Sequence, residues 1–231
     1  MPVNSSLPPH LNIVPPSSMS LLRECKVSRA PESVCHYQCD TYVGCDGSVD
    51  RISEDRQVQN KFLTVDKYAS DLTVYMNELY VMVGKDGANF CILKFDLSGK
   101  PISRWISSVR YFNYNKLLII GDRIVIPDIL NRQIVLYSLY GHQLMHISCD
   151  LCTGQHIRMT AVGDNSVVVS VYENSTVLRI DVNTAEVLWK SNHVVRPQGT
   201  VCYNNKYVLI SSGVEAGGNR RQISILMADT G

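Results

Sequence analysis

The sequence has little net charge and no long apolar segment. It contains 22 Lys and Arg against 21 Asp and Glu, a formal net charge of +1, so it lacks the bulk charge that is typical of nucleic-acid and membrane-surface proteins. No apolar run approaches the 18 residues of a membrane span, and the chain does not open with the basic and apolar regions of a signal peptide. We therefore expect a cytoplasmic protein without membrane or DNA partners, in which electrostatic recognition is confined to local patches.

Common catalytic motifs are also missing. The chain has no Gly-x-Ser-x-Gly nucleophile elbow and no phosphate-binding loop, and no sequence feature indicates a cofactor. Its eight cysteines do not come with a secretion signal, so we expect reduced thiols that are mostly buried. Residues 1–20 combine two Pro-Pro pairs with scattered serines and have no apolar period, which predicts a flexible leader before a domain spanning 21–231.

Residues 119–147 contain three short apolar runs separated by turn signals. The runs are 124–126, 134–137 and 144–147, and each is too short for a helix and rich in β-branched residues. This pattern predicts a small antiparallel meander.

The turns of this meander recur along the chain. The turn after the third strand falls at Ser53, Asp96, Ser138, Asp181 and Met227, at spacings of 43, 42, 43 and 46 residues. A second turn recurs at Asp40, Asn77, Asp122, Asp164 and Asn205, at spacings of 37, 45, 42 and 41. A period in the low forties with several short strands per unit is typical of propeller blades. We predict an all-β fold, a β-propeller with about five four-stranded blades at 29–64, 65–107, 108–151, 152–194 and 195–231.

The third unit resembles an NHL repeat, the blade of one family of β-propellers. Residues 121–128 and 131–137 fit the family pattern nearly throughout, whereas the other units keep the strands and lose the loop motif. Such propellers are similar to the C-terminal domains of tripartite-motif (TRIM) proteins, which are ubiquitin ligases. This sequence shows no RING-type Cys and His series and no heptad run, so the resemblance implies the part that selects the target and not the ligase activity.

The last unit stops in the turn before its outermost strand. Two explanations remain open. In the first, residues 21–28 supply the missing strand and close the ring, which would remove an exposed sheet edge. In the second, the chain is a fragment of the six-bladed ring that is usual for NHL domains.

One segment has the spacing of a zinc site. His146, Cys149, Cys152 and His156 form a His-x2-Cys-x2-Cys-x3-His cluster, and four such ligands can bind zinc tetrahedrally. A single Cys-x2-Cys pair is weak evidence, and the alternative is a blade crossing in which cysteines fill small gaps.

A metal-dependent propeller lyase or hydrolase needs ligands that converge from several blades. The histidines of different units lie at unequal offsets from the recurring turns, so catalysis ranks last.

Binding through loops is the function that the sequence favours. The loops between blades and within blades carry basic and aromatic residues with few acids, although loops of any soluble protein are polar. A protein partner ranks first, and single-stranded RNA, which basic loops with stacking tyrosines can bind, ranks second. The predicted contact residues are Lys85, Arg110, Tyr111, Asn113, Arg132, His156, Arg158, His193, Arg196, Arg220 and Arg221.

Overall fold

A computed structural model describes residues 25–55, 57–84, 88–110, 116–149, 156–212 and 222–229, which form antiparallel β-strands joined by short turns. Within these ranges no helix is long and apolar enough to cross a bilayer. The strands are β1 (Pro31–Tyr37), β2 (Asp40–Ile52), β3 (Val58–Tyr75), β4 (Glu78–Gly84), β5 (Asn89–Asp96), β6 (Pro101–Arg110), β7 (Leu118–Ile120), β8 (Arg123–Asp128), β9 (Gln133–Ser138), β10 (Gln143–Ser148), β11 (Ile157–Val162), β12 (Ser166–Val171), β13 (Thr176–Asp181), β14 (Val187–Ser191), β15 (Pro197–Tyr203), β16 (Tyr207–Ser212) and β17 (Gln222–Met227).

Consecutive strands pair into four sheets. The first sheet holds β1 to β6, the second β7 to β10, the third β11 to β14 and the fourth β15 to β17. Every pair is antiparallel, and within each sheet the strands pair in the order in which they follow along the chain, as in a meander.

The central strands of the second and third sheets are apolar on both faces because a sheet lies on either side of them. In β8, Ile124 and Ile126 pack against the first sheet, and Val125 packs against the third. In β12, Val169 faces the second sheet and Val168 faces the fourth. Successive sheets therefore stack face to face around shared cores, which is the architecture of a β-propeller.

The prediction of about five four-stranded blades is wrong. The described residues form four blades with six, four, four and three strands. The predicted boundary between residues 64 and 65 falls inside β3, which is 18 residues long. The first part of β3 pairs with β2 and the last part pairs with β4. The first two units are therefore one continuous sheet, because no Gly or Pro interrupts β3.

The recurring turns of the sequence are nevertheless present in several units. The amide of Ser53 donates to the carbonyl of Gln57, Asp96 to Lys100, and Ser138 to His142. Each turn closes a hairpin between the last two strands of its unit. The spacing of the turns along the sequence therefore does not determine the number of sheets.

The third and fourth sheets are held together by polar contacts as well as by their apolar core. The Arg179 guanidinium and the Trp189 indole both donate to the carbonyl of Ala228, at 2.5 and 2.7 Å. Near the other end of these sheets, the Ser170 and Thr200 hydroxyl oxygens lie 2.6 Å apart. These contacts place the beginnings of β11 and β15 side by side.

The predicted leader and part of the predicted closing strand lie outside the described residues. Of the segment 21–28, residues 25–28 are described and are not in a strand. Ser28 donates through its amide and its hydroxyl to the carboxylate of Asp50, at 2.5 and 2.8 Å. Ser28 therefore lies against β2 of the first sheet.

Candidate functional site

Three segments of the third and fourth sheets meet at one end of the propeller. They are His156 with the first residues of β11, the turn 172–175 between β12 and β13, and the first residues of β15. The Tyr172 amide donates to the His156 carbonyl at 3.2 Å, which extends the β11–β12 ladder by one pair. Ser175 has a φ of +49° and closes the turn. The hairpin thereby fixes His156 and Tyr172 side by side.

His156 is oriented by a carboxylate. Its Nδ1 lies 3.0 Å from Glu173 Oε1, and its backbone amide lies 3.2 Å from the same oxygen. An ionised carboxylate only accepts hydrogen bonds, so a hydrogen bond between these two atoms requires the proton to be on His156 Nδ1. The His156 ring also packs on Tyr172, with 5.4 Å between the ring centroids.

Arg196 approaches the same tyrosine from the connection between β14 and β15. Its guanidinium carbon lies 5.9 Å from the Tyr172 ring centroid, which is a cation–π distance. The Arg196 amide donates to Ser175 Oγ at 3.1 Å, and its φ is +48°. The backbone of Arg196 is thus fixed against the β12–β13 turn, and its side chain lies over Tyr172.

These side chains border a small open cleft of about 330 Å³, which is lined by His156, Arg158, Tyr172 and Gln198. Arg158 donates to the carbonyl of its neighbour Ile157 at 3.1 Å. The volume is at the lower end of the range for small-molecule sites, and it matches one polar side chain of a partner better than a large cofactor. Arg158 on its wall and Arg196 beside it place two guanidinium groups at the cleft, and the Glu173 carboxylate next to His156 places one negative charge there.

The structure brings together three of the eleven predicted contact residues, namely His156, Arg158 and Arg196. Arg110 lies at the end of β6, Arg132 lies in the β8–β9 turn with a φ of +51°, and His193 is exposed between β14 and β15. None of these three lines the cleft. Lys85, Tyr111, Asn113, Arg220 and Arg221 lie outside the described residues.

Sequence reasoning missed Tyr172 and Gln198. Tyr172 directly follows the buried strand β12 and precedes a polar turn, so its position at a strand end was the available signal. Gln198 had no comparable signal, because it reaches the cleft only through the packing of β15 against β11.

Two residues of the predicted zinc cluster, Cys149 and His156, have other partners. Cys149 is disulfide-bonded, and a disulfide sulfur is not the thiolate that zinc binds. His156 pairs with Glu173, His146 is exposed on β10, and Cys152 lies outside the described part of the chain. Within that part, no group of three or more His, Cys, Asp or Glu side chains is arranged to hold a metal. The expectation of reduced thiols is wrong for Cys149. Among the described residues, the free cysteines are Cys25, Cys35, Cys39, Cys45, Cys91 and Cys202.

No protein-family model matches the sequence. No curated protein matches it either.

Solved structures of similar fold do match. BamB from Moraxella catarrhalis is 13% identical with a TM-score of 0.56, and the alignment covers 79% of this chain and 55% of BamB. A protein of unknown function from Bacteroides caccae is 10% identical with a TM-score of 0.65, covering 86% of this chain and 78% of that one. Virginiamycin B lyase from Staphylococcus aureus is 15% identical with a TM-score of 0.61, covering 85% and 69%. The chain thus spans about half of BamB and a larger share of the other two. At these identities the likeness shows the fold alone, and that fold is a β-propeller.

Proposed function

We propose that this propeller is a non-enzymatic binding platform that recognises a protein partner by docking an acidic side chain into the cleft beside β11. The observation that carries the proposal is the meeting of three segments from two sheets around Tyr172. Sites of this kind, on loops held by a rigid scaffold, are the usual place for recognition in propellers. The substrate-selecting role of TRIM-type propellers, which the likeness of residues 121–137 to an NHL repeat implies, is the finer form of this proposal.

The charges and size of the cleft support an acidic protein group as the ligand. Arginine forms strong bidentate hydrogen bonds with carboxylates, and Arg158 lines the cleft. Arg196 is already positioned by Tyr172 and by the turn at Ser175, so less side-chain entropy is lost when it binds. Both features favour a short acidic segment.

Single-stranded RNA is the second candidate from the sequence, and the cleft supports it less well. A base needs an accessible aromatic face on which to stack. The Tyr172 ring contacts the His156 ring and the Arg196 guanidinium, so a base must displace one of them. The predicted stacking residue Tyr111 lies outside the described residues.

The proposal is tested by selection from a random peptide library on the immobilised protein. We expect the selected peptides to be enriched in Asp and Glu, and their affinity to fall at least ten-fold in the Arg158→Ala/Arg196→Ala double variant. Arg104→Ala, which removes an exposed arginine on β6 far along the chain from the cleft, is the matched control and should leave the affinity unchanged.

Two results would contradict the proposal. One is a set of selected peptides without acidic enrichment. The other is a stronger response to random single-stranded RNA, with an affinity that falls steeply with salt as phosphate contacts do.

A further inference from the structure

The fourth sheet has one covered face and one exposed face. On the covered face, Val208 and Ile210 pack against the third sheet in a shared apolar core. On the other face the side chains form three cross-strand rows, each with one residue from β15, β16 and β17. The rows are Gly199, Ser211 and Ile223; Val201, Leu209 and Ile225; and Tyr203, Tyr207 and Met227.

The exposed face is apolar to an extent that is unusual for a solvated sheet. Ile223 is 69% exposed, and Val201 and Ile225 are 54% and 53% exposed. None of the nine residues in the rows is charged. Lys206 lies at one end, with its ammonium 5.2 Å from the centroid of the Tyr207 ring. Antiparallel sheets with one solvated face normally carry polar residues on it, and a contiguous apolar patch of this kind marks an interaction site.

The earlier sheets show what covers such a face. On the corresponding face of the second sheet, Val125, Ile134 and Leu136 are fully buried because the third sheet packs on them. The fourth sheet repeats this apolar pattern at the position where a next sheet would pack. The exposed rows therefore continue an interface that the chain builds repeatedly, and the chemistry that fits them is another uncharged β-sheet face.

Within the described residues the first sheet provides such a face only in part, because its side away from the second sheet carries Val34 opposite Val43 on β1 and β2 but is polar between β2 and β3. Its side away from the second sheet carries Ser48 opposite Thr64, and Asp50 accepts hydrogen bonds there from Ser28 and from the Lys61 amide. A buried carboxylate network and an apolar face are not complementary, because the polar groups would lose solvent without gaining partners.

We propose that a second copy of this chain covers the exposed face, with the two fourth sheets packed face to face around a two-fold axis. In a two-fold interface the same surface of each copy packs against that surface of the other. A face without charged residues therefore causes no like-charge repulsion in this arrangement. The β-branched and aromatic side chains of the two faces would interdigitate as in an aligned sheet sandwich. Three of the four residues that line the cleft are His156, Arg158 and Tyr172, which lie in or beside strands of the third sheet and not on the exposed face, so the dimer leaves the proposed binding site accessible.

Sedimentation equilibrium and light scattering on the 231-residue chain test this proposal. We expect a mass of twice 25.9 kDa for the wild type at micromolar concentration. Ile225→Lys places two ammonium groups at the centre of the interface, and we expect the dissociation constant of the dimer to rise at least 100-fold. Leu188→Lys is the matched control, because Leu188 is an exposed strand residue of the third sheet, and this variant should remain a dimer.

Circular dichroism establishes that each variant is folded. If Ile225→Lys does not fold, Ile223→Lys is used to test the interface. Ile223 is more exposed than Ile225, so its replacement disturbs the sheet less. A wild type that stays at 25.9 kDa up to about 100 µM, far above the Kd of a specific dimer, would overturn the proposal. So would a dimer that persists in folded Ile225→Lys and Ile223→Lys, since it would use another surface.

Discussion

The first sheet and the two four-stranded sheets are built from the same repeat, and they differ in how one unit passes into the next. Between β10 and β11 and between β14 and β15, the chain leaves the sheet before it starts another. In the first sheet, β3 serves two units, and its pairing changes from β2 to β4 near Tyr68. A register shift between Ala69 and Asp71 accompanies the change, and such irregularities let a strand bend and twist.

The comparison shows that turns and boundaries have different causes. Turns follow from local residues, such as Gly99 and Gly141, which have φ values of +90° and +86° that favour glycine. A boundary between blades requires an interruption of the strand pattern, and β3 contains none. Because β3 is shared by two units, part of the apolar core of the first sheet lies between the two halves of that same sheet. The core between the second and third sheets is instead formed by two different sheets.

The largest expected effect tests the comparison between the first sheet and the regular sheets through their apolar cores. Leu136 is fully buried in the core between the second and third sheets, and we expect Leu136→Ala to lower the free energy of unfolding by about 3–4 kcal/mol. Leu93 packs at the margin of the first sheet's own core and is only partly buried, so Leu93→Ala should cost about 1–2 kcal/mol. Urea unfolding measures both values. Equal losses would show that the two cores contribute alike.

The next largest expected effect concerns the turn at Gly141 of the second sheet, which contacts the first sheet. Gly141 has a φ of +86°, and a Cβ added there would collide with the Trp105 indole of the first sheet. We expect Gly141→Ala to cost about 3 kcal/mol, from backbone strain and overpacking together.

Gly163 is the matched control for that prediction. Its φ is +61°, and nothing lies within 4 Å of an added Cβ, so Gly163→Ala should cost only the strain, about 1 kcal/mol. Thermal and urea unfolding of both variants compare the two. Similar costs would mean that contact between the turn of the second sheet and Trp105 has no energetic weight.

The smallest effect concerns the joint between β3 and the second sheet. Asp71 accepts hydrogen bonds from the Leu117 amide at 2.7 Å and from Lys116 at 3.4 Å. Burial raises the pKa of the Asp71 carboxyl, and Lys116 only partly offsets this. The folded protein therefore binds the proton more tightly than the unfolded chain does, so this group lowers stability as pH rises from the unfolded pKa through the raised folded pKa.

Asp71→Asn removes that pH dependence and keeps an oxygen for the Leu117 amide. We expect the stability of the variant relative to wild type to increase between pH 4 and pH 7, because only the wild type loses stability as the Asp71 carboxyl ionises. Urea unfolding at the two pH values measures the change. Asp122→Asn, at an exposed side chain, controls for the loss of one negative charge. A relative stability that decreases over this range would contradict the assignment.

The candidate site was only partly predictable. His156, Arg158 and Arg196 were among the predicted contact residues because the period assigns these basic residues to connections between units; the structure places Arg158 in β11. Tyr172 and Gln198 were missed, because their role depends on which strands pack side by side, and no local pattern records that. The disulfide at Cys149 was missed for the same reason, since pairing depends on the distance between two backbones.

The sequence by itself determined the strands, the turns and their period, because alternation of apolar residues and the conformational preferences of Gly, Asn and Asp act within a few residues. The tertiary structure decided how many sheets those strands form, since β3 joins two units through pairings with β2 and β4 that are set across the chain. It also decided which basic residues share a cleft and which face of the fourth sheet remains exposed. Those properties arise from packing between sheets, which depends on residues far apart in the sequence.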